Sequence, residues 1–125
     1  MDKFNQFEKQ KYLNLETFRK NGESMKTPVW FTQAGQTIYV LTMANSGKVK
    51  RIGNNGRVNI APCKMDGKLT GTWVPAQARQ VTDPAVSTTV DRLLDKKYGL
   101  LKKMFQNRRS NDGSQDAILE IIITE

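Results

Sequence analysis

The 125-residue chain contains no histidine and a single cysteine, Cys63. Without histidine, the Ser-His-Asp and Cys-His nucleophile arrangements are excluded. The usual zinc sites and His-ligated haem are excluded too, because they need imidazole or several thiolates. A lone Cys63 forms no internal disulfide and fits a reducing, cytoplasmic compartment. No apolar run is long enough to cross a bilayer, and residues Met1 to Gln6 lack the apolar stretch of a secretory signal. No membrane association is expected, and the length favours one domain, residues 1–125, around one modest core. If the protein is an enzyme, a bound organic cofactor carries the difficult step.

Acidic residues are scarce where basic ones are dense. Between Glu23 and Asp83 the only acid is Asp66, whereas Lys26, Lys48, Lys50, Arg51, Arg57, Lys64, Lys68 and Arg79 all fall there. The net charge is +8. So one-sided a segment creates a positive field suited to phosphate, although a solvated basic surface would read alike.

The pattern of apolar residues predicts a mainly β chain with peripheral helices. Phe7, Leu15 and Phe18 at helix-like intervals predict an amphipathic helix from about Phe4 to Lys20, ending at Asn21-Gly22. Thr27 to Thr32 and Thr37 to Thr42 read as a hairpin around Ala34-Gly35-Gln36. Asn45-Ser46 offers an N-cap for a short helix, Gly47 to Ile52, closed by Gly53 to Gly56. Arg57 to Cys63 is a third strand, Met65 to Lys68 a turn, and Leu69 to Thr82 a long fourth strand with Pro75 at a bulge or edge. Asp83-Pro84 starts a helix whose Val86, Val90, Leu93, Leu94 and Tyr98 share a face. A second helical segment, Leu100 to Asn107, a polar loop, Arg108 to Gln115, and a buried strand, Ala117 to Thr124, complete the chain. Five or six strands with peripheral helices in so short a chain suggest a small barrel.

The most informative stretch runs from Thr42 to Arg51. A strand ends at Thr42, and Ser46 caps a helix whose first N–H groups are unpaired and carry partial positive charge. Such a terminus binds anions, hydroxyls at Thr42 and Ser46 can donate to phosphate oxygens, and Lys48 adds a compact charge. An ordinary capped helix with a basic face is the plainer alternative. No Walker loop is present.

Taken in order, Thr27-Pro28-Val29-Trp30-Phe31, Tyr39-Val40-Leu41-Thr42, Ser46-Gly47-Lys48-Val49-Lys50-Arg51, Arg57-Val58-Asn59-Ile60-Ala61-Pro62-Cys63, Gly71-Thr72-Trp73-Val74 and Ala76-Gln77-Ala78-Arg79 resemble the pyridoxamine-phosphate-oxidase-like family. Its fold is the FMN-binding type of split β-barrel, and the branch it is most similar to is named for the deazaflavin coenzyme F-420. The resemblance implies a homodimer with cofactors, FMN or coenzyme F-420, in clefts at the subunit interface. It also implies that Thr42, Ser46 and Lys48 hold the cofactor phosphate with Lys50 and Arg51 in support, and that Met25, Lys26, Thr27, Pro28 and Val29 line the ring. Pro62, Cys63 and Trp73 are further pocket or interface candidates. Trp30 and Trp73 read equally as core aromatics, and Cys63 as a small apolar residue.

Two departures bear on activity. Gly47-Lys48 stands where pyridoxamine phosphate oxidase proper has an Arg-Lys pair, and the C-terminal Trp and Arg region of that enzyme has no counterpart. Oxidation of pyridoxamine phosphate is therefore not expected. The expected activity is hydride transfer to or from a small organic substrate, with Tyr39 or Lys26 as a proton donor and no assigned catalytic residue. A non-catalytic flavin carrier is the alternative. A basic barrel for single-stranded nucleic acid is a weaker one, because Lys48, Lys50 and Arg51 lack the neighbouring aromatics on which bases stack.

Overall fold

The computed structural model describes residues 5–44, 46–99 and 116–124. A 3-10 turn at Asn5–Phe7 leads into strands β1 (Tyr12–Phe18), β2 (Ser24–Val29), β3 (Phe31–Ala34) and β4 (Thr37–Met43). Helix α1 (Gly47–Asn54), strands β5 (Arg57–Cys63) and β6 (Val74–Val81), helix α2 (Pro84–Tyr98) and strand β7 (Asp116–Ile123) follow. The seven strands form one sheet in the order β2-β1-β5-β6-β7-β4-β3, and every neighbouring pair is antiparallel.

The two ends of that order, β2 and β3, are separated in sequence by Trp30 alone. One bent run therefore pairs with β1 through its first half and with β4 through its second, which curls the sheet into a barrel. Register fixes the inner face. Leu15 stands opposite Ile60, which stands opposite Val74, and Leu119 opposite Val40, which stands opposite Phe31. Leu15, Ile60, Leu119, Val40 and Phe31 are all fully buried, and Val74 nearly so. This is the alternation a half-buried antiparallel sheet demands. A second apolar cluster lies outside the barrel, where Val90, Leu94 and Tyr98 of α2 pack with Ile118, Trp30, Tyr39 and Leu41.

Several sequence expectations need correction. The helix expected from Phe4 to Lys20 is instead the 3-10 turn and β1. Leu13, Leu15 and Thr17 alternate inward, and Gly22, with φ of +88°, turns the chain into β2 rather than capping a helix. Thr27 to Thr32 divides at Trp30 into two strands with different partners. The strand expected from Leu69 begins only at Val74. Before it, the Gln6 side chain holds the backbone of Thr72, and a single bridge joins Leu69 to Cys63. Among the described residues there are seven strands, not five or six. Trp30 leaves the barrel core and stacks on Tyr98 outside it, ring centroids 4.4 Å apart at 7°.

Other elements follow expectation. Ser46 caps α1 by accepting from the Val49 N–H, and Asp83 caps α2 by accepting from the Ala85 N–H. β5 spans Arg57 to Cys63 as read, and α1 runs two residues longer. The segments Leu100 to Asn107 and Arg108 to Gln115, and the cap residue Asn45, lie outside the described residues.

Candidate functional site

Antiparallel order brings particular termini together. β1, β4 and β6 end at the same rim of the barrel at which β2, β5 and β7 begin. Helix α1, which joins β4 to β5, therefore lies across that rim, with Ile52 and Val49 packed into the core. The rim gathers Met25, Thr42, Ser46, Lys48, Lys50 and Arg51 of the expected site.

Arg51 gives this rim its shape. Its Nε donates to Thr17 Oγ1 at 2.6 Å, which ties α1 to the end of β1. Thr17 is fully buried, and its cross-strand neighbour is Met25. The rest of the guanidinium folds back over the first turn of α1. A Cβ placed on Gly47 would lie 2.7 Å from Arg51 Nη1. Glycine at 47 thus leaves room for a planar cation above a helix N-terminus, where backbone N–H groups already attract anions. Ser46 Oγ accepts from Val49 at a long 3.4 Å, and its own proton remains available to donate. Thr42 is buried at the end of β4, Lys48 is half-buried, and Lys50 is exposed. The first turn of α1 contains no acid. This donor set of two hydroxyls, a guanidinium and ammonium groups fits a phosphate.

The remaining expected residues lie elsewhere. Along β2, Met25, Thr27 and Val29 share the parity of the inner face, and Lys26 and Pro28 that of the outer. A ring against this strand can meet all five backbones but the side chains of one parity only. Pro62 pairs with Leu13, four residues from Thr17 along β1, which places it roughly 13 Å from the rim. Trp73 is half-buried, with the Lys26 ammonium 5.7 Å from its ring centroid. Beside that pair, Glu16 Oε1 accepts from Asn59 Nδ2 at 2.8 Å, and Asn14 donates to the Gly67 carbonyl while its buried Oδ1 has no partner. Cys63 is buried, and burial, with a smaller contribution from Asp66, pushes its thiol above the ordinary range. It is poorly suited to redox or nucleophilic work.

Sequence reading missed Thr17, Asn14, Glu16 and Asn59, whose roles depend on strand pairings between distant residues. It also missed a polar lock at the end of α2. The Tyr98 hydroxyl lies 2.7 Å from the Lys11 carbonyl and accepts from the Phe31 N–H at 3.0 Å. Lys97 donates to the Phe31 carbonyl at 2.9 Å with its ammonium 3.5 Å from the Phe31 ring centroid. Burial lowers Lys97 to about 8 and raises Tyr98 well above the ordinary phenol range. Of the two suggested proton donors, Tyr39 packs half-buried against the outer cluster and Lys26 lies over Trp73.

A barrel closed by one bent strand, with a capped helix across its rim, defines a split-barrel protein. The family model described as pyridoxamine 5'-phosphate oxidase matches residues 1–125, and the chain belongs to that family. Solved structures agree on the fold. A protein titled putative pyridoxamine 5'-phosphate oxidase, from Listeria innocua, superposes with a TM-score of 0.70 at 11% identity, covering 97% of this chain and 90% of that one. The haem storage protein HutZ from Vibrio cholerae gives 0.74 at 13% identity, covering 97% and 87%. A structure titled F420 reductase gives 0.62 at 16% identity, covering 100% and 96%. No curated protein matches the chain in sequence.

Proposed function

We propose that this chain is a flavin-type oxidoreductase that binds FMN or coenzyme F-420 and acts on a small organic substrate. The observation that carries the reading is the Arg51 guanidinium, anchored on Thr17 and laid over the glycine-opened first turn of α1. In this reading Thr42, Ser46, Lys48 and Arg51 hold the anionic tail, with Lys50 contributing at longer range. β2, from Met25 to Val29, positions the ring, and Trp73 and Pro62 contribute from the far end, where a second copy of the chain would complete the cleft. When bound, such a ring supplies hydride transfer. The protein's own share is to clamp the phosphate, orient the ring and exclude water. Family membership supports a flavin-type group, and the fold shared with an F420 reductase supports the deazaflavin as its variant. The fold is shared with a haem storage protein as well, but a chain without histidine offers no imidazole to an iron. A homodimer in the cytoplasm belongs to the same proposal.

The test is an absorption and fluorescence titration with FMN and with coenzyme F-420, on wild type and on Lys48→Ala. Loss of one charge-assisted contact should weaken binding by about 1–3 kcal/mol, roughly 5- to 150-fold. Equal affinity in both proteins would remove Lys48 from the site. Tight binding without turnover across a panel of acceptors would leave a cofactor carrier in place of an enzyme.

A further inference from the structure

A long arginine side chain on a short helix has many rotamers open to it, and at Arg51 two neighbours select among them. Arg51 follows Gly47 by four residues, so both lie on one face of α1, and its side chain leans back toward the helix start. On one side, Nε donates to Thr17 Oγ1 at 2.6 Å. Thr17 is fully buried on β1, so the sheet holds this acceptor in place. On the other side lies Gly47, where an added Cβ would meet Nη1 at 2.7 Å, Cζ at 3.4 Å and Nη2 at 3.5 Å. A hydrogen bond thus fixes the guanidinium at one edge, and the missing side chain gives it room at the other. With the Nε–H spent on Thr17, the Nη1–Nη2 end is the fork that matches two oxygens of a phosphate.

We propose that Thr17 and Gly47 are positioning residues for anion recognition, setting the Nη1–Nη2 fork of Arg51 over the start of α1 to grip two oxygens of the ligand's phosphate. This role rests on the cofactor reading and names two residues behind the clamp that touch no ligand themselves. Neither residue suits its element otherwise. Thr17 continues the inner face of Leu13 and Leu15, where a fully buried position on a strand favours valine or isoleucine. Gly47 has no positive φ that would demand glycine, and glycine weakens a helix relative to alanine. Both choices are explained by the guanidinium between them. An ordinary capped helix with a basic face would need neither. Lysine at position 51 would not substitute, because a single ammonium cannot serve Thr17 through one edge and present a two-pronged fork through another.

The experiment is a fluorescence titration of the full chain with FMN and with riboflavin, which lacks the phosphate, in wild type, Thr17→Val, Thr17→Ser and Gly47→Ala. Wild type should prefer FMN. Thr17→Val removes the acceptor at nearly constant volume, and Gly47→Ala pushes the guanidinium away from the other side. Each should weaken FMN about fivefold or more and leave riboflavin unchanged. Thr17→Ser keeps the hydroxyl and should keep the preference. Because both changes displace one group, Thr17→Val combined with Gly47→Ala should cost no more than the worse single change. Urea unfolding is the control. Gly47→Ala should be at least as stable as wild type, so its lost affinity does not come from a loosened fold, and it carries the test alone if Thr17→Val does not fold. Equal affinities for FMN and riboflavin in wild type would overturn the cofactor reading and this assignment with it. An FMN preference that survives in Gly47→Ala or in folded Thr17→Val, a parallel loss of riboflavin, or full additivity in the double variant would overturn the assignment alone.

Discussion

Tyr98→Phe removes one oxygen and nothing else, at the place where the bent strand leaves Trp30 and begins β3. Tyr98 is 7% exposed and Phe31 is fully buried. The hydroxyl accepts from the Phe31 N–H at 3.0 Å and sits 2.7 Å from the Lys11 carbonyl and 2.9 Å from that of Phe31. Its single proton can go to only one of the two carbonyls. Lys97 already donates to the Phe31 carbonyl, so the shorter contact, to Lys11, is the natural recipient. In the variant the Phe31 N–H loses its acceptor inside the fold, which costs about 1–3 kcal/mol. The Lys11 carbonyl, on an exposed residue, recovers a water, so its loss adds no more than about 0.5–1 kcal/mol. The expected destabilisation is therefore about 1–4 kcal/mol, with the Trp30 stack retained. Urea unfolding measures it, with an unchanged denaturant slope as the sign that neither end state was remodelled. A loss below about 0.5 kcal/mol would refute the reasoning, since the buried N–H would then have another acceptor.

Two further perturbations probe the packing around the site. Burial holds Lys97 at about 8 in the folded chain, below the roughly 10.4 of an unfolded lysine. Between those values the unfolded chain binds more protons, so this residue makes stability rise with pH from about 8 to about 10. Cys63 and Tyr98, both raised by burial, act with the opposite sign above their ordinary values. The informative quantity is thus the stability of wild type minus that of Lys97→Met, which should climb across this window; a flat difference would place the amine in water. Gly71→Ala puts a Cβ 2.5 Å from Pro62 Cγ and 2.6 Å from Gln6 Oε1, and should cost about 1–3 kcal/mol in thermal or urea unfolding. An unshifted melting curve would mean that the loop over Pro62 yields to the added methyl group.

Local chemistry made much of this fold legible. Ser46 and Asp83-Pro84 are capping signals with a direct physical reason, and both helices start where those signals stand. The alternation of Arg57 to Cys63 and the apolar run of β7 were equally plain. β1 was hidden by Thr17. A polar residue at an inward position breaks the period-2 pattern, and the surrounding charges, from Glu8 to Arg19, then mimic an amphipathic helix. Thr17 is polar there because it receives Arg51 Nε, so the residue that masked the strand also anchors the α1 rim. The rim itself was readable from Thr42 to Arg51, a continuous segment. The placement of Pro62 and Trp73 away from that rim was not, because it depends on the antiparallel pairing of β1, β5 and β6.

FMN and riboflavin differ only in the phosphate, which makes their affinity ratio the most direct test of the cationic rim. Titrated side by side at low and at high salt, FMN should bind tenfold or more tightly at low salt, about the effect of one charge-assisted contact, and should lose most of that advantage as salt screens it. Equal affinities at low salt, or a preference for riboflavin, would contradict the account.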